Sequence, residues 1–231
     1  LRTTAAPGLR PPPPHPDELA AGCASRPRAR VLSSPHTPTG AMYPPALLER
    51  FFEECPRLRI ALVLDETYKD FLPPESPPHH LFQRGDWRST LIQLFSFSKS
   101  YAHTGQRVGS LIAGPELINT VEKVQDCITI CAPHVGQLAA LYGLQHLDKW
   151  KAGKRALMAQ RLDAMHTAFA ELAPQYQVVS SGAFFAYLKH PFADQSARQV
   201  AMALAQKSGV LTLPGSMFGP GQDRFLRIAF A

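Results

Sequence analysis

Lys99 stands among the hydroxyls of Ser96, Ser98 and Ser100, eight residues before Arg107 and close to Gly105 and Gly109. An amine in a partly desolvated pocket near other cations gives up its proton more readily, and the free amine attacks carbonyl carbon. The hydroxyls, the guanidinium of Arg107 and glycines that let backbone approach a ligand amount to a phosphate cradle. A nucleophilic lysine beside a phosphate site suggests pyridoxal phosphate. A plain surface loop is the competing reading, since a short motif has a real false-positive rate. A second stretch, Asp65-Glu66-Thr67-Tyr68, shifts the balance. The carboxylate of Asp65 suits a pyridinium nitrogen and the phenol of Tyr68 suits a ring hydroxyl, the two protein groups that such a cofactor needs for electron withdrawal.

Both stretches need a scaffold. Residues 91–95 form an apolar run that reads as a buried strand, and residues 59–64 form another. Each would deliver its chemistry at a strand's C-terminal end, where open α/β sheets bind ligands. Residues 28–33 read as a further strand. Leu47, Leu48, Phe51 and Phe52 give an amphipathic helix closed by Cys55-Pro56, so strand, helix and strand make a βαβ unit.

Four motifs in order carry a family resemblance: Ser-Ser-Pro-His-Thr-Pro-Thr-Gly at 33–40, Asp-Glu-Thr-Tyr at 65–68, the stretch from Ser96 to Gly109, and Phe225-Leu226-Arg227. Together they resemble the signature of the fold-type I, class I/II aminotransferases, over essentially the whole chain from about position 8. The resemblance implies a three-layer α/β large domain with a mostly parallel sheet, here residues 1–150, and a smaller α+β domain, residues 151–231. It implies pyridoxal phosphate held by Lys99 as a Schiff base, with Lys99 later moving the proton between Cα and the cofactor. Asp65 pairs with the pyridinium, Tyr68 hydrogen-bonds the ring oxygen, Ser96, Ser98 and Arg107 bind phosphate, and Arg227 takes the substrate α-carboxylate in a bidentate pair that lysine cannot copy. Thr37 departs from the family pattern, which has asparagine before Pro-Thr-Gly; threonine offers the ring oxygen one shorter hydroxyl.

The resemblance further implies an amino acid and a 2-oxo acid as substrates and a homodimer in the full-length protein. It also implies a segment before residue 1 that supplies a phosphate loop, a ring-stacking residue and dimer contacts, and a last helix after Ala231, so the chain reads as a fragment. A lyase or synthase on the same scaffold is an alternative outcome, because the cofactor motifs leave open how the carbanion is resolved. A non-catalytic sensing domain is another, against which the lack of a helix-turn-helix segment counts.

Composition narrows the partners. The 231 residues are 45% hydrophobic with net charge +6, from 24 Lys and Arg against 18 Asp and Glu. No apolar run approaches the roughly 18 residues of a membrane span, and the start lacks a signal pattern, so a cytoplasmic protein is expected. The basic group Lys149, Lys151, Lys154, Arg155 and Arg161 reads as a solvated helix face and not a nucleic-acid patch, for no aromatic platform accompanies it. The four cysteines form no CxxC pair and read as reduced, buried thiols, with Cys127 and Cys131 sharing a helix face. His79 and His80, adjacent and without a third ligand, read as a loop feature and not a metal site; His36 and His103 read as local hydrogen-bonding residues.

Along the chain, the composition of the proline-rich start allows a disordered linker or a polyproline ligand, whereas the resemblance implies a connection from a strand to a short helix over 17–24. Strand 110–113 precedes a helix from Pro115 that Pro133 ends, with Leu117, Ile118, Val121, Val124 and Ile128 on its apolar stripe. Residues 135–147 are apolar on most sides and predict a buried helix, followed by a long amphipathic one through Met158, Leu162, Met165, Phe169 and Leu172. Strands are expected over 177–180, 183–189, 210–213 and 225–230, with a helix over 196–207.

Overall fold

The structure is a computed structural model and describes residues 27–73 and 79–231. The expected helix over 17–24, Cys23 and the prolines at 74, 77 and 78 lie outside the described residues. The described residues form two compact units, one of 27–35 and Tyr43–Arg155, the other of His36–Met42 and Ala156–Ala231.

In the first unit, β1 (Ala29–Ser33), β2 (Ala61–Asp65), β3 (Leu91–Ser96) and β4 (Gly109–Ile112) lie side by side in that order. The first three run parallel and β4 runs antiparallel. Helix α1 (Pro45–Arg57) makes the crossover from β1 to β2, starting at a proline whose missing N–H costs nothing in a first turn. It runs past Cys55-Pro56 to Arg57, carrying Pro56 in its last turn. Its buried stripe of Leu48, Phe51, Phe52 and Cys55 packs on Leu32, Leu62, Leu64 and Leu91 of the sheet. Each such side chain contributes about 1.5–3 kcal/mol by leaving water. Side chains alternate across a strand, so Val63, Ile92 and Leu94 face the other way and are only partly covered.

One polar group lies within the covered side. Gln93 is buried in β3 and donates its Nε2–H to Glu66 Oε2, and Glu66 is 1% exposed. His79 Nε2 lies 3.3 Å from Glu66 Oε1. Its Nδ1 accepts the Leu81 N–H at 3.1 Å, which leaves the ring proton of the neutral imidazole on Nε2, facing the carboxylate. His79 is therefore more than the loop feature expected: it is a buried partner of Glu66, and its ring also meets Phe82.

Three helices follow the lysine stretch, and two differ from expectation. Helix α3 (Pro115–Ile128) follows the four-residue α2 (Phe97–Ser100) in the chain. It stops five residues before Pro133 because Ile130 adopts the left-handed region, φ 61°. Cys127 and Cys131 hence share no helix face, and both are exposed, while Cys55 is buried. The apolar stripe of α3 has helical spacing, but none of its residues is buried; Leu117, Val124 and Ile128 are exposed.

Helix α4 (His134–His146) is not buried on most sides as its composition suggests. It buries Gly136, Ala140 and Gly143 and exposes Val135, Leu138, Leu141, Tyr142 and Leu144. The small residues recur at i, i+4 and i+7, so they share one face. That face approaches its neighbours closely: a Cβ on residue 136 would stand 2.6 Å from Val108 Cγ2 and 3.0 Å from Gln106 O. Contact through the small face turns the large side chains outward. Helix α5 (Asp148–Leu172) buries Met158 and Met165 and exposes Lys149, Lys154 and Arg161, while Lys151 pairs with Asp148 at 3.4 Å. No helix among the described residues is long and apolar enough to cross a membrane.

The second unit has an antiparallel sheet of β5 (Gln177–Gly182), β6 (Phe185–Lys189), β8 (Phe225–Ala229) and β7 (Leu213–Pro214), in that spatial order. Met165 of α5 packs on Ala186 and Leu188. Helix α6 (Ala197–Ser208) opens with a reciprocal cap, Ser196 Oγ accepting the Gln199 N–H and Gln199 Oε1 accepting the Ser196 N–H, and places Val200 and Ala201 on Leu226. The strand expected over 210–213 is confined to Leu213–Pro214, since Val210 and Leu211 run out exposed after the left-handed Gly209.

Two stability outcomes follow. Gly136→Leu should destabilise the chain by about 1–3 kcal/mol through overpacking against Val108 and Gln106, whereas Leu138→Gln on the outward face should stay within about 0.5 kcal/mol. Urea unfolding of both variants checks this, and equal losses would mean that α4 packs by another face. Glu66→Ala should cost about 1–3 kcal/mol, the range for leaving buried donors without their acceptor. A loss below 1 kcal/mol in the same assay would show that Gln93 and His79 find other partners.

Candidate active site

The turn after β3 is held from below. Ser96 ends the strand with extended backbone, and its Oγ accepts the Ser98 N–H at 3.3 Å, capping α2. Phe97 and Tyr101 are buried, and their rings lie 5.3 Å apart, with Phe95 edge-on to Phe97 at 5.2 Å. Phe97 N donates to Val108 O, and Tyr101 N to Phe97 O. With Phe97, Ser98, Ser100 and Tyr101 all inward, the remaining side chain of the turn, Lys99, is exposed. It is less desolvated here than the sequence reading expects.

Arg107 reaches back toward the same turn. Its backbone is left-handed, φ 53°, and its Nη1 donates to Ser98 Oγ at 3.3 Å and to Thr104 O at 2.9 Å. Hydroxyl and guanidinium are thus held side by side, two group types that donate to phosphate oxygens. His103 differs from its expected role: its Nδ1 is buried without a hydrogen-bond partner among the described residues.

Asp65 closes β2. The register pairs Asp65 with Leu94, two residues before Ser96, so Asp65 and Ser96 stand at neighbouring strand ends on one face of the sheet. Asp65 Oδ1 accepts the Thr67 N–H at 3.0 Å and the Thr67 hydroxyl at 2.7 Å, an Asx turn that fixes the carboxylate through one oxygen. Tyr68 follows and is buried. Asp65, Tyr68, Ser96, Ser98, Lys99 and Arg107 therefore all belong to the first unit.

Thr37 and Arg227 belong to the second. Thr37 is exposed in a loop closed by Gly40 N donating to His36 O and His36 N to Ala41 O; the His36 Nδ1 and Thr39 Oγ1 are 2.8 Å apart. Cis peptide bonds precede Pro35 and Pro38. Arg227 sits in the middle of β8, opposite Tyr187 on one side and Leu213 on the other. Tyr187 donates to Gln222 Oε1 at 2.9 Å, and burial pushes its phenol up to about 12, so it is a neutral donor at physiological pH.

Sequence reasoning missed Glu66, His79 and Gln93, and also the rings around Arg227. A signal for the first existed: Gln93 interrupts an apolar strand, and a buried amide demands a partner.

The residues present suit a phosphorylated aldehyde: an exposed amine, a linked hydroxyl and guanidinium beside it, and a carboxylate at the adjoining strand end with one oxygen outside its turn. The family profile described as Aminotransferase class I and II matches residues 18–231. Similar proteins include an aspartate aminotransferase of Sulfurisphaera tokodaii, 29% identical, with 87% of this chain and 51% of that protein covered. A histidinol-phosphate aminotransferase of Moorella thermoacetica is 30% identical, with coverages of 91% and 51%. A solved aminotransferase from Mycobacterium tuberculosis is 26% identical with TM-score 0.83, over 94% of this chain and 56% of that one. The chain spans about half the length of the curated relatives it matches. With the parallel strands, the capped lysine turn and a profile that runs through both units, the chain belongs to the class I and II aminotransferases, pyridoxal-phosphate-dependent enzymes of fold type I.

Proposed function

We propose that the protein transfers an amino group between an L-α-amino acid and a 2-oxo acid, using pyridoxal phosphate bound covalently through Lys99. The observation that carries this reading is the turn after β3: every neighbour of Lys99 is packed inward, and Ser98 and Arg107 are joined beside it. Pyridoxal phosphate, when bound, supplies an electron sink that makes the Cα–H bond of an amino acid acidic. Lys99 Nζ would hold the cofactor at its aldehyde carbon and, as a free amine, would take up and return the proton at Cα. Ser96, Ser98 and Arg107 would bind the phosphate. Asp65 would face the ring nitrogen, Tyr68 would donate to the ring oxygen, and Thr37 would give that oxygen a second, shorter donor. Arg227 would pair with the α-carboxylate.

The reading extends to a homodimer in the cytoplasm. The outward apolar face of α4 supports burial against further protein, because a contiguous apolar surface is seldom left in water.

Borohydride reduction after incubation with pyridoxal phosphate, followed by peptide mass spectrometry, tests the central role. The adduct should fall on Lys99 and vanish in Lys99→Ala; an adduct on another lysine in the wild type would refute it. A panel of amino acids with a 2-oxo acid acceptor then separates transfer from elimination by its products. Thr37→Asn should tighten cofactor binding, since a hydrogen bond to a charged acceptor contributes roughly 1.5–3 kcal/mol. Unchanged affinity in a fluorescence titration would mean that the Thr37 hydroxyl already serves.

A further inference from the structure

Two lysines with no part in the chemistry above lie over the rings that support the lysine turn. Lys69 Nζ is 5.2 Å from the centroid of the Phe95 ring, and Lys151 Nζ is 5.2 Å from that of Tyr101. Lys69 opens the single helical turn Lys69–Phe71 that directly follows Tyr68, and Lys151 stands in the first turn of α5. Asp70 connects the two: its Oδ1 lies 4.0 Å from Lys151 Nζ, which also meets Asp148 Oδ1 at 3.4 Å. Asp70, Asp148, Lys151, Ala152 and Arg155 line a cleft of about 210 Å³, so Asp70 and α5 meet across it through charge and not through apolar packing. Burial works against the ammonium of Lys151, but the Tyr101 phenol and the two carboxylates outweigh it, and its pKa rises above the ordinary lysine value. Lys151 is therefore no part of the solvated face expected of its basic group; its side chain is 22% exposed.

Strand pairing fixes β2 against β3 only as far as Asp65 opposite Leu94. Tyr68 and Lys99 lie beyond that point, where the chain runs into short helical turns that have no stability of their own. We propose that Lys151 is a positioning residue for Lys99: by holding Tyr101 of one turn and Asp70 of the other, it sets the spacing between the two and so the reach of Lys99 to a cofactor whose ring nitrogen faces Asp65. The inference rests on the reading of Lys99 given above. Attraction to a ring face uses none of the three N–H donors of an ammonium group, so Lys151 can serve the ring and the carboxylates together. Lys69, over Phe95, makes a second link between the same two strand ends. A partly exposed ion pair adds little to global stability. Its removal should therefore alter the spacing and leave folding alone.

The test is a pH titration of the visible absorbance of the protein saturated with pyridoxal phosphate, whose midpoint reports how firmly the proton between Lys99 Nζ and the ring oxygen is held. Poorer alignment weakens the donors to the ring oxygen, and the proton is held more firmly. Lys151→Met should move the midpoint upward by about 0.2–0.7 unit, and Lys151→Arg should restore it to within about 0.1 unit. Asp70→Asn separates position from charge. It should also move the midpoint upward, although loss of a negative charge alone would move it downward. Urea unfolding of the cofactor-free variants should match wild type. An unmoved midpoint in Lys151→Met, a downward or absent shift in Asp70→Asn, or a failure of Lys151→Arg to restore the midpoint would overturn the proposal. Lys99→Ala serves as the reference. If its spectrum titrates as wild type does, the reading of Lys99 itself fails and the inference goes with it. If Lys99→Ala loses the titration and Lys151→Met keeps the wild-type midpoint, only the inference fails.

Discussion

Everything at the candidate site depends on how the chain leaves β3. A buried strand that turns at once into a helix must dispose of four or five side chains within a few ångströms, and the apolar ones go inward. Phe95, Phe97 and Tyr101 do so here, tied to Val108 by packing and by the Phe97 amide. The Ser96 cap fixes the first turn. A short helix of this kind has no stability of its own, because nucleation costs more than one turn returns. It exists because its aromatic side chains are buried, and Lys99 is presented as a by-product of that burial.

The same economy explains why the neighbouring strand end carries two carboxyl groups with opposite fates. Asp65 and Glu66 are consecutive, so the pleat sends them to opposite faces. Asp65 stays on the open face and turns the chain through Thr67, whereas Glu66 enters the covered face and meets Gln93 and His79. One strand end thus combines an acid on the open face with a buried structural one. The segment before Leu81 is pinned beneath the sheet by the second, which ties residues 79–83 to the strand that delivers Asp65.

How much of this was legible in the sequence follows from which signals are local. β2, β3 and α1 were readable because their periodicity and their burial agree, whereas the stripe of α5 is buried at Met158 and Met165 and ends in an exposed Leu172. The lysine turn was readable because its chemistry sits in one continuous stretch. The burial of α4 was misread for a definite reason: composition reports how apolar a helix is, and only the placement of Gly136, Ala140 and Gly143 reports which side approaches a neighbour. Glu66 with His79 was missed because the partners are far apart in sequence. Arg227 was singled out by motif, but the Phe185 and Phe218 rings beside its guanidinium come from β6 and from the turn after β7, which no single window contains.

The loop that carries Thr37 is bound to the hairpin of β5 and β6. Ser180 Oγ donates to Thr39 O at 2.8 Å, and a Cβ on residue 40, where φ is +73°, would stand 2.5 Å from Gly182 N. A Cβ on residue 182 would stand 2.2 Å from Gly40 O. Each glycine thereby vetoes any side chain at the other, whatever its chemistry, since backbone atoms have nowhere to retreat. Within the loop, the exposed Thr37 is the position where a change of side chain meets the least steric constraint. A difference of residue type at position 37 is the kind of change that this architecture tolerates, because the anchor grips the main chain of the loop at Thr39 and Gly40 and does not register what the tip of the loop displays.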